Sequence, residues 1–177
     1  MKVEIRKEET RDHQHVFELI EKAFENELFS NHREQFLVEK LRKSPAFIPE
    51  LSLVALYNGM LAGYVLLTPI QIVNQQQSFS SLALAPVAVW PSYQNKGIGQ
   101  MLILNAHQNA IAAGFQSVVL LGHADYYPKF GYQPAHQFNI SLPFDVPLEN
   151  CMAIELVKDG LKGVSGMVEY PAAFSNY

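Results

Sequence analysis

The chain has 177 residues, 49% hydrophobic and 17% charged, a balance that suits one globular domain and excludes disorder, collagen and long coiled coils. Thirteen Lys and Arg stand against seventeen Asp and Glu, a net charge of −4, so there is no basic excess for nucleic acid. One cysteine allows neither an internal disulfide nor a Cys-rich metal site, no apolar run approaches the ~20 residues of a membrane helix, and the start lacks a signal-peptide block, so a cytoplasmic, reduced protein is expected.

Val3 and Ile5 alternate with charges and predict a short strand. Thr10 to Asp12 offer caps for a first helix, whose apolar positions Val16, Ile20, Ala23 and Phe24 recur at helical spacing. Asn31, with Glu34 three residues on, reads as a capping box for a second helix. Leu37 and Leu41 continue its stripe, and Ser44-Pro45 ends it. Leu51–Tyr57 and Met60–Thr68 are apolar runs joined by Asn58-Gly59, the strongest short hairpin signal. Ile70–Val73 extends the second strand past Pro69. A polar turn at Asn74–Gln77 leads to a long strand, about Phe79 to Val89.

A glycine-containing turn then opens a helix from about Gly97 to Ala113, with Ile98, Met101, Leu102, Ala106 and Ala110 as its apolar side and Gly114 past its end. Val118–Leu121 is a buried strand by length. A short helix near Asp125–Phe130 follows, capped by Asp125, then strands at Phe138–Leu142 and Met152–Val157. The tail after Pro171 carries no readable pattern. Strands on both sides of the long helix imply a parallel crossover, whereas the hairpins are antiparallel. A mixed α/β sheet with helices on its faces follows.

The stretch from Val87 to Leu102 is the most informative: strand, glycine turn, helix. A helix start offers four N–H groups without internal partners and about half a positive charge, an anion site. Gly97 and Gly99 would let a phosphate oxygen approach, Lys96 adds charge and Gln94 an amide donor. A P-loop needs Lys-Ser or Lys-Thr after its last glycine, and here Lys96 precedes the glycines. The dinucleotide fingerprint needs a third glycine where Leu102 stands. The plain structural alternative is that Gly97 and Gly99 only permit close packing of a helix start.

Gln94, Gly97 and Gly99, preceded by Val89 and Pro91, resemble the acyl-CoA pyrophosphate loop of the GNAT N-acetyltransferase superfamily. Tyr126-Tyr127-Pro128-Lys129-Phe130-Gly131-Tyr132 resembles that superfamily's F-Y-x-K-x-G-F segment, in the form usual in a bacterial branch of predicted N-acetyltransferases. The resemblance implies one GNAT-like domain over 1–177, with a core of about 1–142 and C-terminal strands and tail over 143–177. Its sheet would be mixed and mostly antiparallel, with one parallel crossover and helices on both faces. It implies acetyl-CoA as co-substrate and a primary amine of a small molecule or peptide as acceptor, and it raises a homodimer through C-terminal strands.

By the same resemblance Val87, Ala88 and Val89 pair with the pantetheine arm, and the amides of Asn95, Lys96, Gly97, Ile98, Gly99 and Gln100, with Gln94, hold the pyrophosphate. Pro86 marks a bulge or an edge just before them. Beyond that point Val118–Leu121 would splay away to open a slot for the acyl chain. Tyr127 matches the family's general acid, with Tyr126 as the competitor and a packed aromatic as the structural alternative. A phenol, with a reference pKa of about 10, is protonated at neutral pH and able to supply a departing thiolate.

The base stays open. Relatives carry a glutamate on the strand corresponding to Phe79–Val89, and this strand has no acid. His123, Glu27 and ordered water are the candidates, beside a loop and a solvated-face reading for the two side chains. Glu25, Glu27, Glu34 and Glu39 would favour a cationic amine or form a solvated face. Cys151 lacks a nearby base, so direct transfer is expected over a covalent route. His13 and His15, without further ligands, imply no metal. Trp90 either packs near the cofactor or closes the core. The rival to an enzyme is an acyl-CoA-binding sensor or interaction module without transferase activity, since fold does not settle function.

Overall fold

Strand β1 (Val3–Lys7) pairs antiparallel with β2 (Ser52–Tyr57), Ile5 opposite Ala55, so the two ends of a long insertion meet. The computed structural model describes residues 2–175. Helices α1 (His13–Phe24) and α2 (Glu34–Arg42) fill the insertion. Then come β3 (Met60–Val73), β4 (Ser78–Val89), α3 (Ile98–Ala112) and β5 (Ser117–Leu121). Four short strands complete the sheet: β6 (Gln133–Pro134), β7 (Ile140–Ser141), β8 (Cys151–Glu155) and β9 (Gly166–Glu169). The strand order is β1-β2-β3-β4-β5-β8-β6, with β9 pairing β3 and β7.

Among the described residues, β1–β2, β2–β3, β3–β9, β5–β8 and β6–β8 pair antiparallel, and two pairs are parallel. β4 and β5, on either side of α3, pair in parallel through Leu82 with Val118 and Ala83 with Val119. β7 and β9 form a second, short parallel pair that hairpin logic did not suggest. The result is the mixed, mostly antiparallel α/β fold expected. Among the described residues no helix is long and apolar enough to cross a membrane.

The chain divides into two compact units, through both of which β3 and β4 run. The first comprises Met1–Leu67, Ala85–Asn109 and Ala172–Tyr177. Its sheet carries helices on both faces. Val16, Leu19 and Ile20 of α1 and Leu37, Val38 and Leu41 of α2 are fully or almost fully buried with Val54, Tyr64, Leu66 and Ala88. Neighbouring Gly63 faces the other way, as strand alternation requires, and a Cβ there would lie 2.8 Å from Leu102 of α3. Asn58 and Gly59 take φ of 49° and 84°, the left-handed pair of a type I′ hairpin.

A buried ionic network crosses this unit. Glu8 accepts from Arg42 Nη2 at 2.5 Å and from Ser52 Oγ at 2.7 Å, and Ser52 Oγ lies 2.9 Å from the Tyr64 hydroxyl. Burial and the Glu8 carboxylate push the Tyr64 phenol up, so it stays neutral.

On α3, His107 is 8% exposed, and burial pushes its imidazole down to about 4 from an ordinary 6.5. Between those values the unfolded chain binds a proton that the folded chain refuses. Stability is therefore complete above pH 6.5 and falls as pH drops toward 4, by about 3 kcal/mol at the lower end. Chemical denaturation at stepped pH should show this slope, and His107→Gln should flatten it. Equal slopes in both proteins would refute the assignment.

The second unit comprises Thr68–Leu84 and Ala110–Pro171. Ile70, Ile72, Ala83, Val119, Cys151, Ala153 and Val168 form its core with Ile140 and Leu161. Buried Ser81 and Ser117 share a 2.7 Å hydrogen bond, which ties β4 to β5.

Several local expectations give way to competing partners. Asp12 does not cap α1, because its carboxylate holds Arg6 and the Glu9 N–H. Asn31 and Glu34 form no capping box: Asn31 accepts from the Arg33 N–H, and Glu34 accepts from Ser30 Oγ. Met101 is 36% exposed, and Ile103 takes a core position instead. The helix near Asp125 is a single 3₁₀ turn at Tyr127–Phe130, preceded by Tyr126 rather than capped by Asp125. The strand expected at Phe138–Leu142 shrinks to Ile140–Ser141, because Ala135–Phe138 is itself a 3₁₀ turn.

Candidate active site

In the first unit, β4 ends at Val89 and the chain turns through Pro91–Tyr93 before α3 starts at Ile98. Val87 and Val89 are half-buried and Ala88 is buried, and none of the three pairs with β5. The Ala85–Pro86 peptide just before them is cis. Between Val89 and α3, Asn95 and Gly97 take φ of 60° and 77°. Left-handed residues of this kind group successive N–H donors beside the orphan donors of a helix start. Nothing lies within 4 Å of a Cβ built at Gly97, so glycine is required there by backbone conformation and not by crowding.

The first helical bond of α3 runs from Met101 N–H to the Gly97 carbonyl at 3.1 Å. The N–H groups from Asn95 to Gln100 have no acceptor among the described residues, and apart from Ile98 and Gly99 these residues are exposed. Gln94 is exposed at the end of the Pro91–Tyr93 turn. Its side-chain amide donates to the Val89 carbonyl at 3.3 Å, bracing the loop against the strand. Lys96 Nζ lies 5.9 Å from the ring centre of Tyr57, which packs against Tyr93 at a tilt of 38°.

In the second unit, Tyr127 opens the 3₁₀ turn and is 7% exposed. Its ring meets Tyr126 edge-on at 5.1 Å and Tyr132 at 5.6 Å. A Cβ at Gly122 would stand 2.4 Å from Tyr127 Cε2, so a bare residue after β5 makes room for the phenol ring. Sequence reading passed over Gly122; its only signal was a glycine directly after a buried strand. Pro128 falls in the first turn, where its missing N–H is tolerated, and Gly131 ends the turn at φ 101°. Lys129 Nζ sits 4.0 Å over the Tyr126 ring. Burial pushes the Tyr126 phenol up, and burial with the neighbouring Tyr127 raises Tyr132 well above the usual range. The Tyr126 and Tyr132 phenols are thereby held in the protonated form.

Residues 4–135 match the family described as Acetyltransferase (GNAT) domain. The chain belongs to the GNAT acetyltransferase family. It is 35% identical over 127 residues to the Uncharacterized N-acetyltransferase YjhQ of Escherichia coli (strain K12), covering 71% of this chain and 70% of that one. Its fold overlays the Escherichia coli GNAT protein YhbS, solved in complex with CoA, with a TM-score of 0.88 at 26% identity over 100% of this chain and 94% of that one. A GNAT family acetyltransferase of Brucella melitensis in complex with acetyl-CoA overlays at 0.79 with 30% identity, covering 98% of each chain.

The remaining candidates of this GNAT chain divide by burial. His123 is exposed in the loop after β5, and Glu27 lies half-buried in the turn beyond α1, not on the helix. Cys151 opens β8 at 6% exposure, with its Sγ 3.8 Å from the Pro147 carbonyl. Burial first, and the Glu149 charge second, push its thiol up, away from nucleophilic thiolate. His13 and His15 sit on α1, and no group of three or more His, Cys, Asp or Glu gathers for a metal among the described residues. Trp90 packs against the α1–α2 core and also lines a cleft of about 530 Å³ there. Of the acids singled out in sequence only Glu25 lines that cleft; Glu18 and Glu21, which sequence reading missed, join it.

Proposed function

We propose that this GNAT-family chain acts as one acyltransferase domain that moves acetyl from acetyl-CoA to a primary amine of a small molecule or peptide, by direct attack in a ternary complex. The observation that carries this is the run of unpartnered N–H groups from Asn95 to Gln100 at the start of α3. A chain of net charge −4 with few clustered cations needs such a concentration of dipoles to hold a diphosphate. The coenzyme-bound relatives from Escherichia coli and Brucella melitensis support the same ligand. Val87, Ala88 and Val89, unpaired with β5, are the backbone offered to the pantetheine arm.

In the reaction the amine lone pair attacks the thioester carbon, the C–N bond forms and the C–S bond breaks. Tyr127 supplies the proton taken by the departing thiolate. The amine proton leaves to His123, Glu27 or ordered water, since β4 contains no Asp or Glu. The buried, protonated Cys151 supports direct transfer over an acetyl-cysteine intermediate.

Thiol release from acetyl-CoA, measured over a panel of amines and peptide N-termini, tests the activity. The missing β4 carboxylate favours the rival, a coenzyme-binding module. Coenzyme binding without thiol release for any amine would establish that rival; no binding at all would end both. Gly97→Val is expected to weaken coenzyme A about tenfold by calorimetry, because a β-branched residue at φ 77° costs about 1–2 kcal/mol and the loop relaxes out of its donor array. Unchanged affinity would remove the loop from the site.

A further inference from the structure

We propose that the cleft beside α1 takes a second positive charge of the acceptor, so that the preferred substrate is a diamine or a cationic peptide and not a simple monoamine. This rests on the transferase reading above and names its substrate class. The cleft lies wholly within the first unit and has the volume of a small-ligand site. Glu18, Glu21 and Glu25 lie on one side of α1 and its C-terminal cap, at the spacing of neighbouring turns. Lys22 stands among them, but its ammonium is tied to Glu25 at 2.5 Å. Glu18 accepts only a neutral amide, from Gln14, and Glu21 has no partner among the described residues. Two carboxylates are thus left without a counter-charge.

The wall contributed by α2 gives an independent sign of a ligand. Gln35 lines the cleft at 3% exposure. Its Nε2 donates to the His32 carbonyl at 3.2 Å, which fixes the orientation of the amide. Its Oε1 is then a buried acceptor with no hydrogen-bond partner. A buried acceptor left empty is costly, and natural proteins keep one where something else supplies the donor. An ammonium N–H is a donor that suits both this oxygen and the acids lining the same cleft. Trp90 adds an aromatic wall, the side chain best able to attract a cation. It directly follows Val87–Val89, so the cleft adjoins the strand assigned to pantetheine.

The test compares pentane-1,5-diamine with pentylamine, of equal chain length, in the thiol-release assay. Calorimetry with pentane-1,5-diamine, on protein free of acetyl-CoA, runs in parallel. The diamine should show kcat/KM at least about tenfold above pentylamine, and it should bind without coenzyme. The double variant Glu18→Gln, Glu21→Gln alters only exposed side chains, so it should fold normally. It should weaken diamine binding about tenfold, bring the ratio of the two amines toward one and leave coenzyme A affinity as it was. Equal kcat/KM for the two amines, or diamine affinity unaltered in the variant, would overturn the proposal. If no amine releases thiol, calorimetry still decides: diamine binding lost in the variant upholds the cation cleft while the transferase reading falls, and absence of diamine binding sinks the cleft itself.

Discussion

Tyr127→Phe is expected to lower kcat for thiol release by about 100- to 1,000-fold while leaving acetyl-CoA affinity unchanged. The substitution removes one oxygen and keeps the ring. Phenylalanine still fills the space left by Gly122 and still meets Tyr126 and Tyr132 edge-on, so packing is preserved. On the proposed role, what is lost is the proton for the leaving thiolate. A general acid contributes typically 10²–10⁴-fold, and part of that is recovered because a thiol, with a pKa of about 8.5, leaves tolerably without help. Tyr126→Phe separates the two adjacent phenols: it should cost less than about threefold. A Tyr127→Phe enzyme within about threefold of the parent, or the larger loss at Tyr126, would remove Tyr127 from its role. Weakened acetyl-CoA binding in Tyr127→Phe would mark a packing residue and not an acid.

The long elements were legible because each carries several agreeing signals. Asn58-Gly59 between two apolar runs can hardly be anything but a hairpin, and its φ values are those the turn demands. The start of α3 was legible for a similar reason: glycines between an apolar strand and a helical stripe mark a turn with special backbone. The starts of α1 and α2 were not, because Asp12, Ser30 and Asn31 each have more than one partner within reach. Asp12 prefers the Arg6 guanidinium to a cap, a charge-assisted pair outcompeting a neutral donor. The strands β6, β7 and β9 have two to four residues, too few to show a period.

The candidate site, whose roles remain those proposed above, was legible in the same uneven way. Main-chain donors announce themselves through glycine, and Tyr127 through its local motif. The cleft has no such signature. Glu18, Glu21 and Glu25 on an amphipathic helix look like any solvated face, and only the fold brings Gln35 from α2 and Trp90 from the end of β4 against them. Side chains that converge from three elements leave no spacing in the sequence.

Arg42→Met is expected to destabilise the protein by about 3–5 kcal/mol, near 10 °C in melting temperature. The guanidinium side chain is 9% exposed and the Glu8 carboxylate 2%. Removing the cation leaves a buried anion with, among the described residues, the Ser52 hydroxyl as its remaining side-chain donor. The Tyr64 phenol, itself raised by burial and by Glu8, cannot take up the charge. Loss of one partner is costly because the desolvation of the other remains uncompensated, whereas the intact pair adds little over an apolar pair of the same shape. The double variant Glu8→Leu, Arg42→Met should therefore regain most of the loss, and chemical denaturation of the parent, both singles and the double gives the coupling directly. A single variant within about 1 kcal/mol of the parent would mean that water reaches Glu8. The network joins the segment after β1 to α2, β2 and β3, so its failure should loosen both helices that line the acidic cleft before it disturbs the start of α3. Hydrogen exchange on Arg42→Met should show amides of α1 and α2 opening faster than those of α3; uniform acceleration along all three helices would contradict that order.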